Sequence, residues 1–282
     1  MTVDSTSSGT LHCGDNLAWM RTLPDGGCDL IYADPPFLTG RVQGRAQRPE
    51  TQFDDRWSGG LDEYLAFLTP RLEQMRRLLS DRGSLYVHLD WRTAHHMRLV
   101  LDGLFGANAF LNEIIWSYRS GGRSGSWFAR KHDTILLYAR QPGCHIFHQQ
   151  RGGTYRTDGL RVDPKGRPYK NTTHGRLYFH PDGPAVTDVW EIPILSTVAR
   201  ERRGSPSQKP EALLERIIAA SSDPGSTVGD FFCGSGTTPA VAARLGRRFL
   251  ACDSNCAMVE ITRRRLAELG VEVGEESERV GS

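Results

Sequence analysis

Residues 30–37 join an apolar run to an acidic residue, two prolines and an aromatic ring, in the order Leu-Ile-Tyr-Ala-Asp-Pro-Pro-Phe. The apolar part predicts a buried strand, so Asp34 would lie at its carboxyl end, where open α/β sheets place their chemistry. Pro35 and Pro36 stiffen the backbone and offer carbonyls without an N–H, while Phe37 supplies a flat apolar face. This set suits a planar heterocycle with an exocyclic amine. The ring would stack on Phe37, and the Asp34 carboxylate and the Pro35 carbonyl would accept the two N–H bonds.

A second motif, Asp-Phe-Phe-Cys-Gly-Ser-Gly-Thr-Thr, occupies residues 230–238 and predicts a strand, a glycine turn and the start of a helix. The glycines let a ligand approach the backbone, and the helix N-terminus favours a polar or anionic group. The next predicted strand ends at Asp253, an acid placed to accept hydrogen bonds from a ribose diol. A nicotinamide fingerprint would need glycine where Pro239 stands, and a triphosphate loop would need a lysine that is absent here. A nucleoside-type cofactor remains, beside the plainer interpretation of a tight turn with structural glycines.

The elements that must position these motifs alternate between strands and amphipathic helices, which predicts an α/β fold. Helices are predicted near residues 16–23, 61–79, 92–105, 211–221, 239–245 and 256–269, and strands near 10–14, 29–33, 84–90, 112–118, 132–139, 227–232 and 248–253. Residues 38–60 form a long polar stretch that we expect to be a functional loop. Residues 119–131 form a basic linker, and residues 141–206 are rich in glycine, proline and aromatic residues without a long helix.

Composition places limits on partners and on compartment. The chain has 282 residues and a net charge of only +2, so affinity for nucleic acid would depend on local basic patches. One such excess lies between Cys144 and Pro210, with eleven Lys and Arg against six Asp and Glu. The six cysteines form no Cys-x-x-Cys pair, and no secretory leader or membrane-length apolar run is present, so we expect reduced thiols in a cytoplasm. We expect no metal, since the cysteine and histidine clusters lack the spacing of a zinc site.

The two motifs together resemble the amino-methylating DNA methyltransferases of the β group, in which the catalytic motif precedes a variable basic segment and the cofactor loop. The resemblance extends to Gly-Asp-Asn at residues 14–16, to Ser-Gln-Lys-Pro at 207–210 and to Asp253, and so covers residues 11–269. It implies a Rossmann-like fold with a seven-stranded, mostly parallel sheet and one antiparallel strand. It divides the chain into a catalytic half (9–140), a target-recognition insertion (141–206) and a cofactor-binding half (207–270), with disordered tails at 1–8 and 271–282. Phe37 departs from the commoner tyrosine, which removes a hydroxyl but keeps the stacking face.

The resemblance implies S-adenosylmethionine as the methyl donor and assigns roles by position. Catalysis would use Asp34, Pro35, Pro36 and Phe37. The cofactor would contact Asp15, Asn16, Ser207, Gln208, Lys209, Asp230, Phe231, Phe232, Gly234, Ser235, Gly236, Thr237, Thr238, Asp253 and Ser254. Within that set, Asp15 would bind the adenine amine, Asp253 the ribose hydroxyls, and residues 207–209 the amino-acid end.

Double-stranded DNA is the implied substrate, with the target base flipped out of the duplex. The basic candidates for DNA contact lie in irregular segments and are Arg41, Arg45, Arg119, Arg123, Arg130, Lys131, Arg151 and Arg156. Aspartate at the first motif position favours adenine N6, and cytosine N4 stays open as the alternative. An inactive DNA-binding module and a protein glutamine methyltransferase are the alternatives of another class. The resemblance also leaves open a cognate restriction endonuclease, a homodimer and a nucleoid-associated location in a bacterial or phage setting.

Overall fold

A computed structural model of the chain describes residues 9–44, 49–119, 122–155, 159–196, 198–205 and 207–274. The strands are β1 (Gly9–Cys13), β2 (Cys28–Ala33), β3 (Arg41–Gln43), β4 (Phe53–Asp55), β5 (Leu79–Leu89), β6 (Phe110–Ser117), β7 (His132–Ala139), β8 (Arg161–Val162), β9 (Pro168–Thr172), β10 (Gly175–Tyr178), β11 (Val189–Glu191), β12 (Thr227–Asp230), β13 (Arg248–Asp253) and β14 (Val273–Gly274). The helices are α1 (Asn16–Thr22), α2 (Gly60–Leu78), α3 (Ala94–Phe105), α4 (Glu211–Ser221), α5 (Thr237–Arg244) and α6 (Cys256–Glu268). Two short 3-10 turns cover Pro49–Thr51 and Ala107–Ala109.

The central sheet has nine strands in the order β11-β6-β7-β5-β2-β12-β13-β1-β14. All neighbours are parallel except at β7, which runs antiparallel to both β5 and β6. The predicted mostly parallel sheet with one antiparallel strand is therefore confirmed, but the predicted number of seven is wrong. The two extra strands lie at the edges, where β11 comes from the predicted insertion and β14 from the predicted C-terminal tail.

Helices cover both faces of the sheet, which explains why its central strands read as continuous apolar runs. Side chains alternate along β2, so Leu30 and Tyr32 enter one apolar cluster while Ile31 and Ala33 enter the other. Helices α1, α2 and α3 pack on the second cluster, and helices α4, α5 and α6 contribute to the first. Asp34 follows β2 directly and so leaves the core at the sheet edge where the parallel strands end.

Two local expectations are corrected by the fold. Residues 38–60 are more than a loop, because β3 and β4 pair as an antiparallel hairpin over residues 41–55. Within the predicted tail 271–282, Val271 is buried and β14 pairs with β1, so residues 271–274 are ordered on the sheet edge. The rest of that tail and residues 1–8 lie outside the described residues. Part of the insertion forms a separate three-stranded antiparallel sheet, β10-β9-β8.

The expectation of reduced thiols fails for one pair of cysteines. Cys13 at the end of β1 and Cys256 at the start of α6 form a disulfide, although 243 positions separate them in sequence. Adjacent β1 and β13 bring the two chain segments together, and the two Cα atoms lie 5.6 Å apart. Sequence spacing could not reveal this pair, because only the folded sheet makes the residues neighbours.

Candidate active site

One cavity at the carboxyl edge of the sheet brings the two sequence motifs together. Its lining includes all four predicted catalytic residues and every predicted cofactor residue except Gly236. The motifs lie almost 200 positions apart in sequence, but β2 and β12 are neighbours in the sheet, with Val228 opposite Leu30. The cavity therefore occupies the crevice between adjoining strands whose connections lead to opposite sides of the sheet, where such folds bind ligands.

The two oxygens of Asp34 have different surroundings. Oδ2 accepts a hydrogen bond from Lys209 Nζ at 2.5 Å, and both side chains are largely buried. Oδ1 is buried as well, but no residue in the described part of the chain donates to it. A buried acceptor without a donor is costly, since its hydration is lost and not replaced. Asp34 thus keeps one oxygen fixed by an ammonium group and leaves the other without a donor.

Aromatic and cationic groups surround this carboxylate. The Phe37 ring packs against the imidazole of His88, with centroids 5.6 Å apart, and Lys209 Nζ lies 5.0 Å from the Phe37 centroid. Leu38, the next residue, has φ of +58°, a left-handed conformation that branched and bulky residues seldom adopt. Asp55 of β4 stabilises that turn, because its carboxylate accepts hydrogen bonds from the backbone N–H groups of Leu38 and Thr39.

The glycine turn after β12 is shaped for a close approach to the chain. Gly234 donates its N–H to Asp253 Oδ2 at 2.8 Å, which ties the turn to the end of β13. Gly236 has φ of +74°, and a Cβ there would lie 2.5 Å from Cγ2 of Thr262. Gly236 therefore serves helix packing at the start of α5, and it is not among the residues that line the cavity.

Burial raises the pKa of two acidic side chains in this region, those of Asp230 and Asp253. Desolvation raises the pKa of Asp230 to about 7, although hydrogen bonds from Thr238 and from the Phe232 backbone oppose the shift. Burial also raises the pKa of Asp253, against the backbone N–H groups of Asn255 and Gly234. The Asp253 carboxylate faces the cavity at the end of β13, the position expected for a ribose-binding acid.

The predicted adenine-binding segment is held by a residue that sequence reasoning missed. Arg71 of α2 donates from Nε to Asn16 Oδ1 and from a terminal nitrogen to Asp15 Oδ2, each at 2.7 Å. Asp15 also caps α1 by accepting from the Ala18 N–H, and Asn16 donates to the Phe231 carbonyl. The only local signal for a role of Arg71 was its position, because it lies on the otherwise apolar face of an amphipathic helix.

The β3–β4 hairpin covers the cavity, and sequence reasoning gave its residues no cofactor role. Thr39, Gln43, Thr51, Phe53 and Asp55 all belong to the lining. The side-chain amide of Asn255 fastens the segment to the opposite wall, because it donates to the carbonyls of Glu50 and Gln52. Residues of this segment thus line the cavity together with the predicted cofactor-binding residues.

The predicted DNA-contacting cations that the structure describes lie outside the cavity lining, Arg41 in β3 and the others in irregular segments. Arg41, Arg119, Arg123, Arg130 and Arg151 are exposed, Lys131 is half-buried, and Arg45 and Arg156 lie outside the described residues. Arg130 stacks over Trp91, with the guanidinium carbon 3.7 Å from the ring centroid, beside the exposed rings of Trp127 and Phe128. Trp91 was not predicted, because it follows a strand end with no motif around it.

Strand register puts the basic linker at the same edge as Asp34. His132 at the start of β7 pairs with Ser117 at the end of β6, and Thr134 pairs with Leu89 at the end of β5. Since β5 runs parallel to β2, all of these strand ends meet at the edge that carries the cavity. Among the described residues, no group of three or more potential metal ligands is present, and no helix is long and apolar enough to cross a bilayer.

Comparison with known proteins shows the family. The family model described as DNA methylase, N6_N4_Mtase, matches residues 28–264. The chain belongs to this family. It is 31% identical over 265 residues to the DNA adenine methyltransferase YhdJ of Escherichia coli K12, covering 91% of this chain and 82% of that protein. It is 29% identical to the type II methyltransferase M.HpaI of Haemophilus parainfluenzae, covering 91% and 73% of the two chains.

Solved structures share the fold. A DNA modification methylase from Thermus thermophilus, crystallised with S-adenosyl-L-methionine, superposes with a TM-score of 0.62 at 20% identity and covers 96% of this chain and all of that one. The cytosine-N4-specific PvuII methyltransferase superposes with a TM-score of 0.57 at 14% identity, over 97% of this chain and 98% of that one. The predicted Rossmann-like methyltransferase fold is therefore confirmed.

Proposed function

We propose that this DNA methyltransferase transfers the methyl group of S-adenosylmethionine to N6 of adenine in duplex DNA. The observation that carries the proposal is the unpaired, buried Oδ1 of Asp34, in the cavity that also holds the cofactor residues. An exocyclic amine of a flipped base supplies the donor that this oxygen lacks. Phe37 then stacks on the base, and the carbonyl of Pro35 accepts the second N–H.

The chemistry follows from those contacts. The amine lone pair of adenine is conjugated with the ring, so the nitrogen is a poor nucleophile. Hydrogen bonds to Asp34 and to the Pro35 carbonyl draw the nitrogen toward a tetrahedral geometry and free the pair. The pair would attack the sulfonium methyl carbon in line, the carbon–sulfur bond would break to release S-adenosylhomocysteine, and one amine proton would pass to the Asp34 carboxylate. Orientation and local electrostatics supply the acceleration.

The cofactor is S-adenosylmethionine, and the walls of the cavity fit its parts. Asp253 would accept from the ribose hydroxyls, the polar start of α5 would meet the methionine end, and Phe231 and Asp15 would lie toward the adenine. Lys209 Nζ contacts the catalytic carboxylate of Asp34. From the same position, Lys209 would bind the amino-acid end of the cofactor. Two structural neighbours were solved as complexes with S-adenosylmethionine.

Two observations favour adenine over cytosine. The first catalytic position is an aspartate, and the relative with 31% identity is named a DNA adenine methyltransferase. Base flipping is required in either case, because the exocyclic amine cannot be reached by an enclosed carboxylate while the base is paired. The basic linker with Arg123, Arg130 and Lys131 contacts the phosphates beside the flipped nucleotide.

The experiment is methyl transfer from labelled S-adenosylmethionine to mixed-sequence duplex DNA, followed by mass analysis of the released nucleosides. We expect N6-methyladenine from the wild-type chain and no product from Asp34→Ala, which should still bind the cofactor. Detection of N4-methylcytosine would support the same mechanism but would identify cytosine as the target base. Absence of labelled DNA, with cofactor binding intact, would refute the proposal.

A further inference from the structure

Three exposed aromatic rings lie at the catalytic edge of the sheet and have no part in the mechanism described so far. Trp127 and Phe128 belong to the basic linker at residues 119–131, and Trp91 lies just after β5. Phe128 is 98% exposed, the highest value among the large apolar side chains of the described residues, and Trp127 is 64% exposed. Clustered apolar side chains with a polar rim mark interaction sites on protein surfaces. The rings therefore indicate a contact surface at this edge.

The basic linker is anchored close to Asp34. Tyr118, just before it, donates its backbone N–H to the carbonyl of Lys131 at 2.9 Å, which closes the segment into a loop. The Tyr118 hydroxyl donates to Asp133 Oδ1 at 3.1 Å, and Asp133 Oδ2 lies 3.3 Å from His88 Nε2. The other nitrogen of this imidazole lies 3.9 Å from Asp34 Oδ1. The side chains of Asp133 and His88 thus connect the stem of the loop to the catalytic carboxylate.

Arg130 ties the loop to the end of β5. Its guanidinium carbon lies 3.7 Å from the ring centroid of Trp91 and 5.7 Å from that of Trp127. A guanidinium over an aromatic face is attracted by the charge distribution of the ring. These contacts hold Trp127 near the folded protein, whereas the neighbouring Phe128 is almost fully exposed. Phe128 is therefore the tip of this surface, and the other two rings belong to its support.

The charge of the segment identifies the partner as a polyanion. The sequence of residues 119–131 contains Arg119, Arg123, Arg130 and Lys131 and no acidic residue. Arg119 lies 3.4 Å from the carboxylate of Glu191, and both side chains are exposed to solvent. Exposed rings among cations fit DNA, which offers phosphates along its outside and flat base faces within its stack.

A base that is flipped into the cavity leaves a gap in the duplex. Flipping costs the pairing and stacking energy of that base. An apolar side chain such as phenylalanine can enter a base step and stack there, which offsets part of this cost. The loop that carries Phe128 has its stem beside Asp34, where the flipped base would react. The tip of this loop is therefore placed to reach the gap that the same base leaves.

We propose that Phe128 inserts into the DNA stack at the position that the target base vacates, while Trp91, Trp127 and Arg130 hold the loop in place. The inference rests on the proposed function and deepens it, because it assigns the residue that stabilises the flipped state. Phe128 contacts the DNA but neither the cofactor nor the reacting amine. Its loss therefore affects the flipping step and leaves cofactor binding unchanged.

The first test removes the ring and measures single-turnover methylation of a duplex with a paired target base. We expect Phe128→Ala to be about ten- to hundredfold slower than the wild type, the size of one base–aromatic stack. Phe128→Leu, which keeps an apolar wedge, should retain most of the rate. The matched control is Phe147→Ala, since Phe147 is 59% exposed and the preceding Ile146 donates its N–H to Arg82 near the amino end of β5, at the opposite edge. That control should keep the wild-type rate.

The same rates are then measured on a duplex that carries a mismatch at the target base. A mismatched base costs less to flip, so the deficit of Phe128→Ala should shrink to within about threefold of wild type. A deficit of equal size on both duplexes would identify an ordinary surface contact with DNA and would overturn the proposal. An unchanged rate of Phe128→Ala on the paired duplex would overturn it as well.

A binding measurement keeps this test separate from the proposed function. Fluorescence anisotropy compares the affinity of each protein for an intact duplex and for the same duplex with one abasic gap, without methyl transfer. We expect the wild type and Phe147→Ala to prefer the gapped duplex by about tenfold, and Phe128→Ala to lose that preference, whichever base is methylated. An equal preference in all three proteins would overturn the insertion even if N6-methyladenine is found. Loss of the preference in Phe128→Ala, with no methylated product from the wild type, would support the insertion and refute the proposed function.

Discussion

The replacement Asp34→Asn tests the catalytic geometry with the smallest change of shape. Lys209 Nζ lies 2.5 Å from Oδ2, and an ammonium group requires an acceptor there. The amide must therefore turn its oxygen to Lys209, which puts its NH₂ group where the unpaired Oδ1 stood. The target amine then meets a donor in place of an acceptor.

The expected loss of methylation rate follows from two free-energy costs. Removing a charge-assisted hydrogen bond costs about 1.5 to 3 kcal/mol, and leaving two buried donors facing each other costs about 1 to 3 kcal/mol more. The sum of about 2.5 to 6 kcal/mol corresponds to a rate loss of about 10² to 10⁴, since each 1.36 kcal/mol is tenfold.

Single-turnover methylation at saturating cofactor measures that loss, and calorimetry measures cofactor affinity, which should change by less than about threefold because Asp34 is not expected to hold the cofactor. The matched control is Asp25→Asn, the same substitution at an ion pair with Arg77 where the aspartate side chain is 78% exposed. That control should be neutral in both measurements. A rate for Asp34→Asn within tenfold of wild type, or the loss of cofactor binding, would contradict the assigned role.

Three further changes test the cofactor-binding half of the cavity. Arg71→Met removes the guanidinium that holds the start of α1 and should weaken cofactor binding about tenfold by calorimetry, whereas Arg77→Met, on the same helix outside the cavity lining, should not. Gly236→Ala places a Cβ 2.5 Å from Thr262 at φ of +74° and should lower the unfolding midpoint and cofactor affinity together, with partial recovery when Thr262→Ala is added. The folded-state pKa of Asp230, about 7, exceeds the usual 3.8, so its contribution to stability is present below pH 4 and is lost as pH rises toward 7. Asp230→Asn should therefore flatten the pH dependence of the free energy of unfolding between pH 4 and 8 in denaturant titrations, and an unchanged slope would show that another group causes it.

Local sequence patterns were sufficient for the parts of this protein that depend on neighbours along the chain. The apolar run before Asp34, the glycine turn and the periodic helices each carry their signal within about ten residues, because strand and helix periodicity is a local property. The order of the two motifs then pointed to the family, and the cavity lining contains the predicted catalytic set.

The edges of the sheet show where that reasoning stops. β14 has two residues and β11 has three, too few for an alternating pattern, and each becomes a strand only because a paired edge is available beside it. The hairpin formed by β3 and β4 was hidden for the same reason, since each of its strands has only three residues and most of them are polar.

The sequence by itself determined the class of fold and the two motifs, and it pointed to many of the residues that line the cavity. Only the tertiary structure decided how those residues are paired: Lys209 on one oxygen of Asp34, Arg71 on Asp15, His88 between Tyr32 and Asp133, and Cys13 bonded to Cys256. Each of these pairs joins different elements that the sheet order makes adjacent. A contact between distant residues depends on three-dimensional packing, and the spacing of residue types along the chain does not record it.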